Sequence, residues 1–432
     1  MNSEEVFVIN GGNKISGCVP IGGAKNSVLK LMAASVLCEG ETCIENVPCI
    51  SDVRIMEKVL TTIGAKVTRG PERGLDKHTV FIDTSNLTSF ETPYELVAKM
   101  RASISILGPL IARFGRARVA MPGGCQIGSR KLDMHITSLE ALGVKFRMDH
   151  GYIEAHVDDG GLCGNEIILD FPSVGATENL MMAATRAKGT TIIHNAACEP
   201  EIVDLANFLT EMGAHIEGIG TPDYVIEGTD EEFIAPHHKT VGDRIEAGTF
   251  LAAGALMGGP ITVQGVNPAH LAMAIKKLTQ MGCNIECGED EITVSRDGRL
   301  KAVDIQTLPH PGFPTDLQAQ FMVLCAVADG NSIITENVFE NRFMFASELS
   351  RMGAQIRIDG HHALITGVDE LAGAPVVSTD LRGGAAIVVA ALAAQGQTVV
   401  GEIHHIDRGY EDYADKLREI GADVSRTTRA CL

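Results

Sequence analysis

The chain has no tryptophan, and aromatic residues of all kinds make up only 4% of it. Its cores must therefore be assembled from Ala, Val, Ile, Leu and Met, within an apolar content of 45%. Positive charge is also short. Thirty-six Lys and Arg face 55 Asp and Glu, a net charge of −19, which excludes nucleic acid as the main partner. An anionic ligand would need a local positive pocket. Long apolar runs are missing too. The longest, about 385–394, falls short of the roughly 20 residues that span a bilayer, so no membrane partner is expected. Among 11 cysteines there is no CxxC pair, and Cys283 and Cys287 have no His or Cys partners at zinc-finger spacing. Free thiols in a reducing compartment fit this usage, and no metal is expected. The opening MNSEEVFVINGG carries no basic-then-apolar leader. Neither a Walker A loop nor a dinucleotide fingerprint occurs, so no cofactor is expected. Together these absences predict a soluble, cytoplasmic protein.

What is present is repetition. At 432 residues the chain is long enough for two or three domains. A short phrase, apolar residue then Gly, small or apolar residue, any residue, apolar residue, recurs at Gly64, Gly143, Gly213, Gly282, Gly353 and Gly421, at intervals of 79, 70, 69, 71 and 68 residues. It reads as a helix stopped by a left-handed glycine, followed by a strand. In step with it run six stretches that are apolar nearly all round, ending at Gly40, Gly115, Gly189, Gly258, Gly330 and Gly396. Such stretches predict buried helices. The unit is thus buried helix, strand, amphipathic helix, glycine, strand and return strand. Helices inside and sheets outside predict an inside-out α/β barrel, with two domains each of three βαβαββ-type repeats. One domain is expected over 25–240. The other is expected over 1–24 plus 241–432, closed by the N-terminal strands, with the join in the polar stretch at His237–Val241. The first interval exceeds the others by about nine residues. That excess is assigned to an inserted loop at 121–130, MPGGCQIGSR, where Pro and paired Gly exclude a helix and leave Cys125 on an exposed, mobile loop. Arg130 stands close enough in sequence to lower the pKa of the thiol.

Polar residues gather where the buried helices begin: Lys25 and Asn26, Arg101, Ser173 with Thr177, Asp243 with Arg244, Thr315 with Asp316, and Arg382 after Asp380. Helix N-termini attract anions. A cation such as Lys25 or Arg101 at that end opposes the dipole, which implies an anion to balance it. Ordinary capping accounts for Ser173 and Thr177 taken singly. Asp316, behind two prolines, is either a plain cap or a base for a substrate hydroxyl. Arg408 lies in the polar cluster 404–411, where His404 and His405 have no third metal ligand at a set spacing.

Nine phrases carry a resemblance: GAKN at 23–26, MRASI at 100–104, PGGCQIGSR at 122–130, SVGATEN at 173–179, EPEIVD at 199–204, FPTDLQAQF at 313–321, ENRFM at 340–344, TDLR at 379–382 and HIDRGYE at 405–411. Over essentially its whole length the chain resembles the enolpyruvyl transferase family, and within it the members acting on UDP-N-acetylglucosamine. The resemblance implies an active site in a cleft between the two domains. It implies transfer of enolpyruvate from phosphoenolpyruvate to the 3-hydroxyl of that sugar nucleotide, with release of phosphate, the first committed step of peptidoglycan precursor synthesis. Carried over by position, Cys125 is the general acid and adduct-forming thiol, open to alkylation by the epoxide fosfomycin. Lys25, Arg130 and Arg408 match phosphoenolpyruvate contacts, with Arg101, Arg342 and Arg382 in the same substrate-binding set. Asn26, Arg130, Lys131, Leu132, Asp133, Met134, Ser173, Val174, Asp316 and Val338 match sugar-nucleotide positions, and Asp316 is also the proton acceptor. Ser105 departs from the pattern, since some members carry an aromatic there near the uridine. Two alternatives stand beside this reading: the sister transferase acting on shikimate 3-phosphate, and a catalytically silent sugar-nucleotide-binding paralogue.

Overall fold

The computed structural model describes residues 3–97, 100–121 and 132–430. Six helices are buried nearly all round: Lys25–Ala34, Leu107–Phe114, Val174–Ala184, Arg244–Met257, Gln318–Val327 and Leu381–Ala393. Their sequences are mainly apolar or small, which favours burial, although charged residues such as Lys30, Glu178 and Glu246 are buried with them. Only two of them run straight into the predicted terminal glycine, at Gly115 and Gly258, both left-handed caps. Elsewhere the helix stops earlier. Lys25–Ala34, for example, tightens into the turn Ser35–Leu37 before Gly40.

A second set of helices is only partly buried: Ser51–Thr62, Asp133–Ala141, Pro200–Met212, Ala272–Gln280, Ala346–Arg351 and Tyr413–Glu419. Each leads to one of the six phrase glycines, whose φ values lie between 93° and 111°, the left-handed region that ends a helix without a Cβ clash. A strand follows in every case, from Lys66–Arg69 in the first repeat to Asp423–Ala430 in the last.

The chain divides into two compact units, passing between them at Gly22–Gly23 and again at Val241–Gly242. Each unit has one apolar core, built from its three buried helices and the inner faces of its own sheets. Three separate sheets surround each core, so the helices are inside and the sheets outside, as expected. Among the described residues, however, the sheets do not join into a continuous barrel. No return strand of the sixth repeat follows Asp423–Ala430 among the described residues. Its place is taken by Ser3–Asn10, which lies between Gln397–Gly401 and Asp423–Ala430, antiparallel to both.

Two features differ from the sequence reading. The expected linker at His237–Val241 contains a strand, His237–Lys239, paired in parallel with Cys43–Glu45. Gly17–Pro20 does the same beside Ile261–Gln264 in the other unit. The excess length of the first interval is also not confined to the Cys125 loop. Residues 70–79 form a long connection between Lys66–Arg69 and Val80–Asp83, where 150–151 suffice in the next repeat. Repeat spacing counts residues without saying where they loop out. Among the described residues, no helix is long and apolar enough to cross a membrane, and every described cysteine is unpaired with another cysteine.

Candidate functional site

In the unit that holds residues 242 onward, three buried helices begin close together. Asp243 caps the first, accepting from the amides of Ile245 and Glu246 at 2.8 and 3.0 Å. Asp380 caps the third, accepting from Arg382 and Gly383, each at 3.0 Å. Asp316 does not cap the second. It lies inside the short turn Thr315–Leu317, and its carboxylate goes to two guanidiniums instead. Oδ1 accepts from Arg342 Nη2 at 2.6 Å and Oδ2 from Arg382 Nη2 at 3.3 Å. Both arginines are buried, at 5% and 4% exposure, while the Asp316 side chain remains 23% exposed. Two buried guanidiniums thus flank one reachable carboxylate. The Nη1 arm of Arg382 has no hydrogen-bond acceptor among the described residues. Burial works against its charge, but Tyr410, Asp316 and Asp243 outweigh that and raise its pKa. A buried guanidinium with an unused arm fits an incoming carboxylate or phosphate oxygen.

Glu336, which sequence reasoning missed, organises this region. It is 2% exposed and accepts from the Thr307 and Thr315 hydroxyls, both at 2.9 Å, and from the amides of Val338 and Phe339 at 2.9 and 3.1 Å. One carboxylate thereby joins the turn bearing Asp316 to the segment bearing Val338. A lone Glu after a strand gave no signal of this.

In the other unit, Lys25 opens the helix Lys25–Ala34 and is buried. Its Nζ lies 2.8 Å from Asp52 Oδ2, and Asp52 is 1% exposed in the first turn of Ser51–Thr62. The anion that balances this cation is therefore supplied by the protein. A charge opposed to the helix dipole did not by itself require a ligand. The carbonyl of Asn26 accepts from Lys30 Nζ at 2.7 Å, and the same Nζ lies 3.0 Å from Glu178. Ser173 caps Val174–Ala184, accepting from the Ala176 amide at 3.3 Å. Ser105, expected to bear on nucleotide affinity, is buried and donates to Glu178 at 3.5 Å.

A profile of the EPSP synthase family, described as 3-phosphoshikimate 1-carboxyvinyltransferase, matches residues 9–417. The chain belongs to that family. Relatives within the family divide by substrate, and a Psychrobacter protein named UDP-N-acetylglucosamine 1-carboxyvinyltransferase is 48% identical over 421 residues, 97% of this chain and 96% of its own. Proteins of the same name from Carboxydothermus hydrogenoformans and Staphylococcus aureus are each 50% identical, over 98% and 97% of this chain and 100% and 99% of theirs. Among solved structures, the enolpyruvyl transferase NikO from Streptomyces tendae superposes with a TM-score of 0.88 at 27% identity, covering 99% of this chain and all of that one. EPSP synthase from Acinetobacter baumannii shares the fold, with a TM-score of 0.74 at 16% identity over 98% of this chain and all of that one.

The remaining family positions fall as follows. Leu132 is buried, and Asp133 and Met134 begin the helix Asp133–Ala141. Arg101 opens the turn Arg101–Ile106, and Arg408 closes the turn Ile403–Arg408, half-buried. Cys125, Arg130 and Lys131 lie outside the described residues. The His404–His405 pair does acquire a third metal-ligating neighbour, Glu402, 3.2 Å from His404. Two of the three are exposed, and Arg408 acts on His405 as a nearby positive charge, which disfavours a cation there.

Proposed function

We propose that this protein transfers the enolpyruvyl group of phosphoenolpyruvate to the 3-hydroxyl of UDP-N-acetylglucosamine, releasing phosphate, as the committing step of peptidoglycan precursor synthesis in the cytoplasm. The observation that carries the reading is near-50% identity, over nearly the whole chain, to proteins of that name. The shikimate alternative rests on the description of the family profile and on a shared fold at 16% identity, with no shikimate-acting protein among the near-50% relatives named above. The residues required are carried by both units. In this reading Lys25, Arg130 and Arg408 bind phosphoenolpyruvate, with Arg101, Arg342 and Arg382 supplying further positive charge. Asn26, Arg130 to Met134, Ser173, Val174, Asp316 and Val338 bind the sugar nucleotide.

Asp316 takes the proton of the 3-hydroxyl as its oxygen bonds to C2 of phosphoenolpyruvate. Cys125 delivers a proton to the methylene carbon. The tetrahedral adduct then loses a methyl proton to the Cys125 thiolate as the C–O bond to phosphate breaks, which restores the double bond and the thiol. Arginines stabilise the charge that develops on the departing phosphate.

Phosphate release is the test. It should require both substrates, fail with shikimate 3-phosphate in place of the sugar nucleotide, and fall about 100-fold or more in Asp316→Asn, the scale of one lost general base. Release independent of UDP-N-acetylglucosamine overturns the reading. Peptide mass spectrometry after fosfomycin treatment should find the adduct on Cys125, and an adduct elsewhere removes that residue from its role.

A further inference from the structure

The pair Lys25–Asn26 is flanked by Ala24 and Ser27, and the two flanks end on Val241 and Asp204, which are hydrogen-bonded to each other. Ala24 has no side chain to cap the helix that follows, so the entry is held otherwise. Its amide donates to the carbonyl of Val241 at 2.7 Å. On the far side, the Ser27 hydroxyl donates to Asp204 Oδ2. The Val241 amide donates to that same oxygen at 3.3 Å. The four groups make a closed clamp: Ala24 on the Val241 carbonyl, the Val241 amide on Asp204, and Asp204 on Ser27. Lys25 and Asn26 lie on the peptide between its two ends.

Asp204 is itself fixed. It sits on the helix Pro200–Met212 at 8% exposure, and its Oδ1 lies 3.0 Å from His238 Nε2. His238 Nδ1 lies 2.8 Å from Glu211 Oε2, and Phe208 meets the ring edge-on at 5.4 Å between centroids. Burial works against a charge on this ring, but the carboxylates of Asp204 and Glu211 at its two nitrogens outweigh that and raise the His238 pKa, favouring the form in which both nitrogens donate. Asp204 thus meets His238 through Oδ1 and accepts from the Ser27 hydroxyl and the Val241 amide through Oδ2, in a buried place. Ser27 is fully buried, so its hydroxyl has no water to turn to.

We propose that Asp204 is a positioning residue for enolpyruvyl transfer, fixing the peptide 24–27 and so the aim of Lys25 and Asn26 without touching either substrate. This rests on the reading that Lys25 and Asn26 contact the substrates. Asp52 and Asp204 divide the task. Asp52 holds the ammonium of Lys25, whereas Asp204 holds the backbone from which the lysine projects.

The test is phosphate-release kinetics with thermal unfolding on the full chain, for Asp204→Asn, Ser27→Ala and the double variant. An Asn at 204 has one accepting oxygen and cannot serve both His238 and the clamp. KM for phosphoenolpyruvate should rise about tenfold or more in each single variant, as expected when a contact is misplaced by a fraction of an ångström, with a smaller change in kcat. The double variant should be no worse than the worse single, because both break one clamp. A stabilising role alone would lower the unfolding temperature and leave KM unmoved, which overturns the proposal. So would KM effects that multiply. Ser27→Ala, the smallest deletion, decides the matter if Asp204→Asn fails to fold. A wild-type chain inactive with both substrates overturns the functional reading first, and the positioning role with it.

Discussion

Glu178 is a carboxyl group that the helix Val174–Ala184 carries wholly into the core. Burial pushes its pKa up to about 7, Lys30 at 3.0 Å opposes that, and Glu201 and Glu199 add to it. The folded protein therefore takes up a proton that the unfolded chain, with an ordinary value of 4.5, does not. The stability this gives is complete below the ordinary value and is lost as pH rises through about 7. Denaturant unfolding from pH 5 to pH 8 should thus show wild-type stability falling, and Glu178→Gln should remove about 2 kcal/mol of that fall. Equal slopes in the two proteins would refute the assignment. At this scale the sequence offered candidates without partners. Asp316 stood out behind its prolines, but whether it capped a helix or faced two guanidiniums depended on Arg342 and Arg382, 26 and 66 residues away. Asp52 and Glu336 gave no local signal, since an acidic residue near a helix start or strand end is ordinary, and Asp204 appeared only as the end of the phrase EPEIVD, with no role attached.

Elements were more legible, because each is written in a local pattern. The six phrase glycines all adopt the left-handed conformation, since a helix must end somewhere and only glycine turns that corner without strain. A glycine inside a helix has a different reason. Gly108 lies in Leu107–Phe114, and its amide donates to Asn179 Oδ1 at 2.7 Å. A Cβ there would fall 2.4 Å from the Asn179 carbonyl oxygen, a backbone atom that cannot rotate away. Alanine would gain about 1 kcal/mol in helix propensity. Overpacking against fixed backbone costs about 1–3 kcal/mol, and more where nothing gives. Gly108→Ala should therefore lower stability by about 1–2 kcal/mol in denaturant unfolding. A variant as stable as wild type would mean that the two helices can move apart.

For the molecule as a whole, the two ends of the chain meet in one sheet. Ser3–Asn10 is the inner strand between Gln397–Gly401 and Asp423–Ala430. Its removal would unpair both neighbours and expose the core beneath Phe7 and Ile9, each at most 2% exposed. A chain lacking residues 3–10 should lose the unit that contains residues 242–430. Limited proteolysis should degrade that part and leave a resistant fragment from within 23–241. Wild-type resistance throughout would show that the sheet closes without its central strand.

The sequence by itself determined the sixfold unit, the order of elements within it and which helices are buried, because periodicity and glycine placement act over one or two turns of chain. Motif resemblance also identified the family. Only the tertiary structure decided which sheet received the strands Gly17–Pro20 and His237–Lys239, where extra residues looped out, and which acid balanced Lys25. Those outcomes depend on groups distant in the chain but adjacent in space, where charge and hydrogen bonds are exchanged at a few ångströms whatever the separation in sequence.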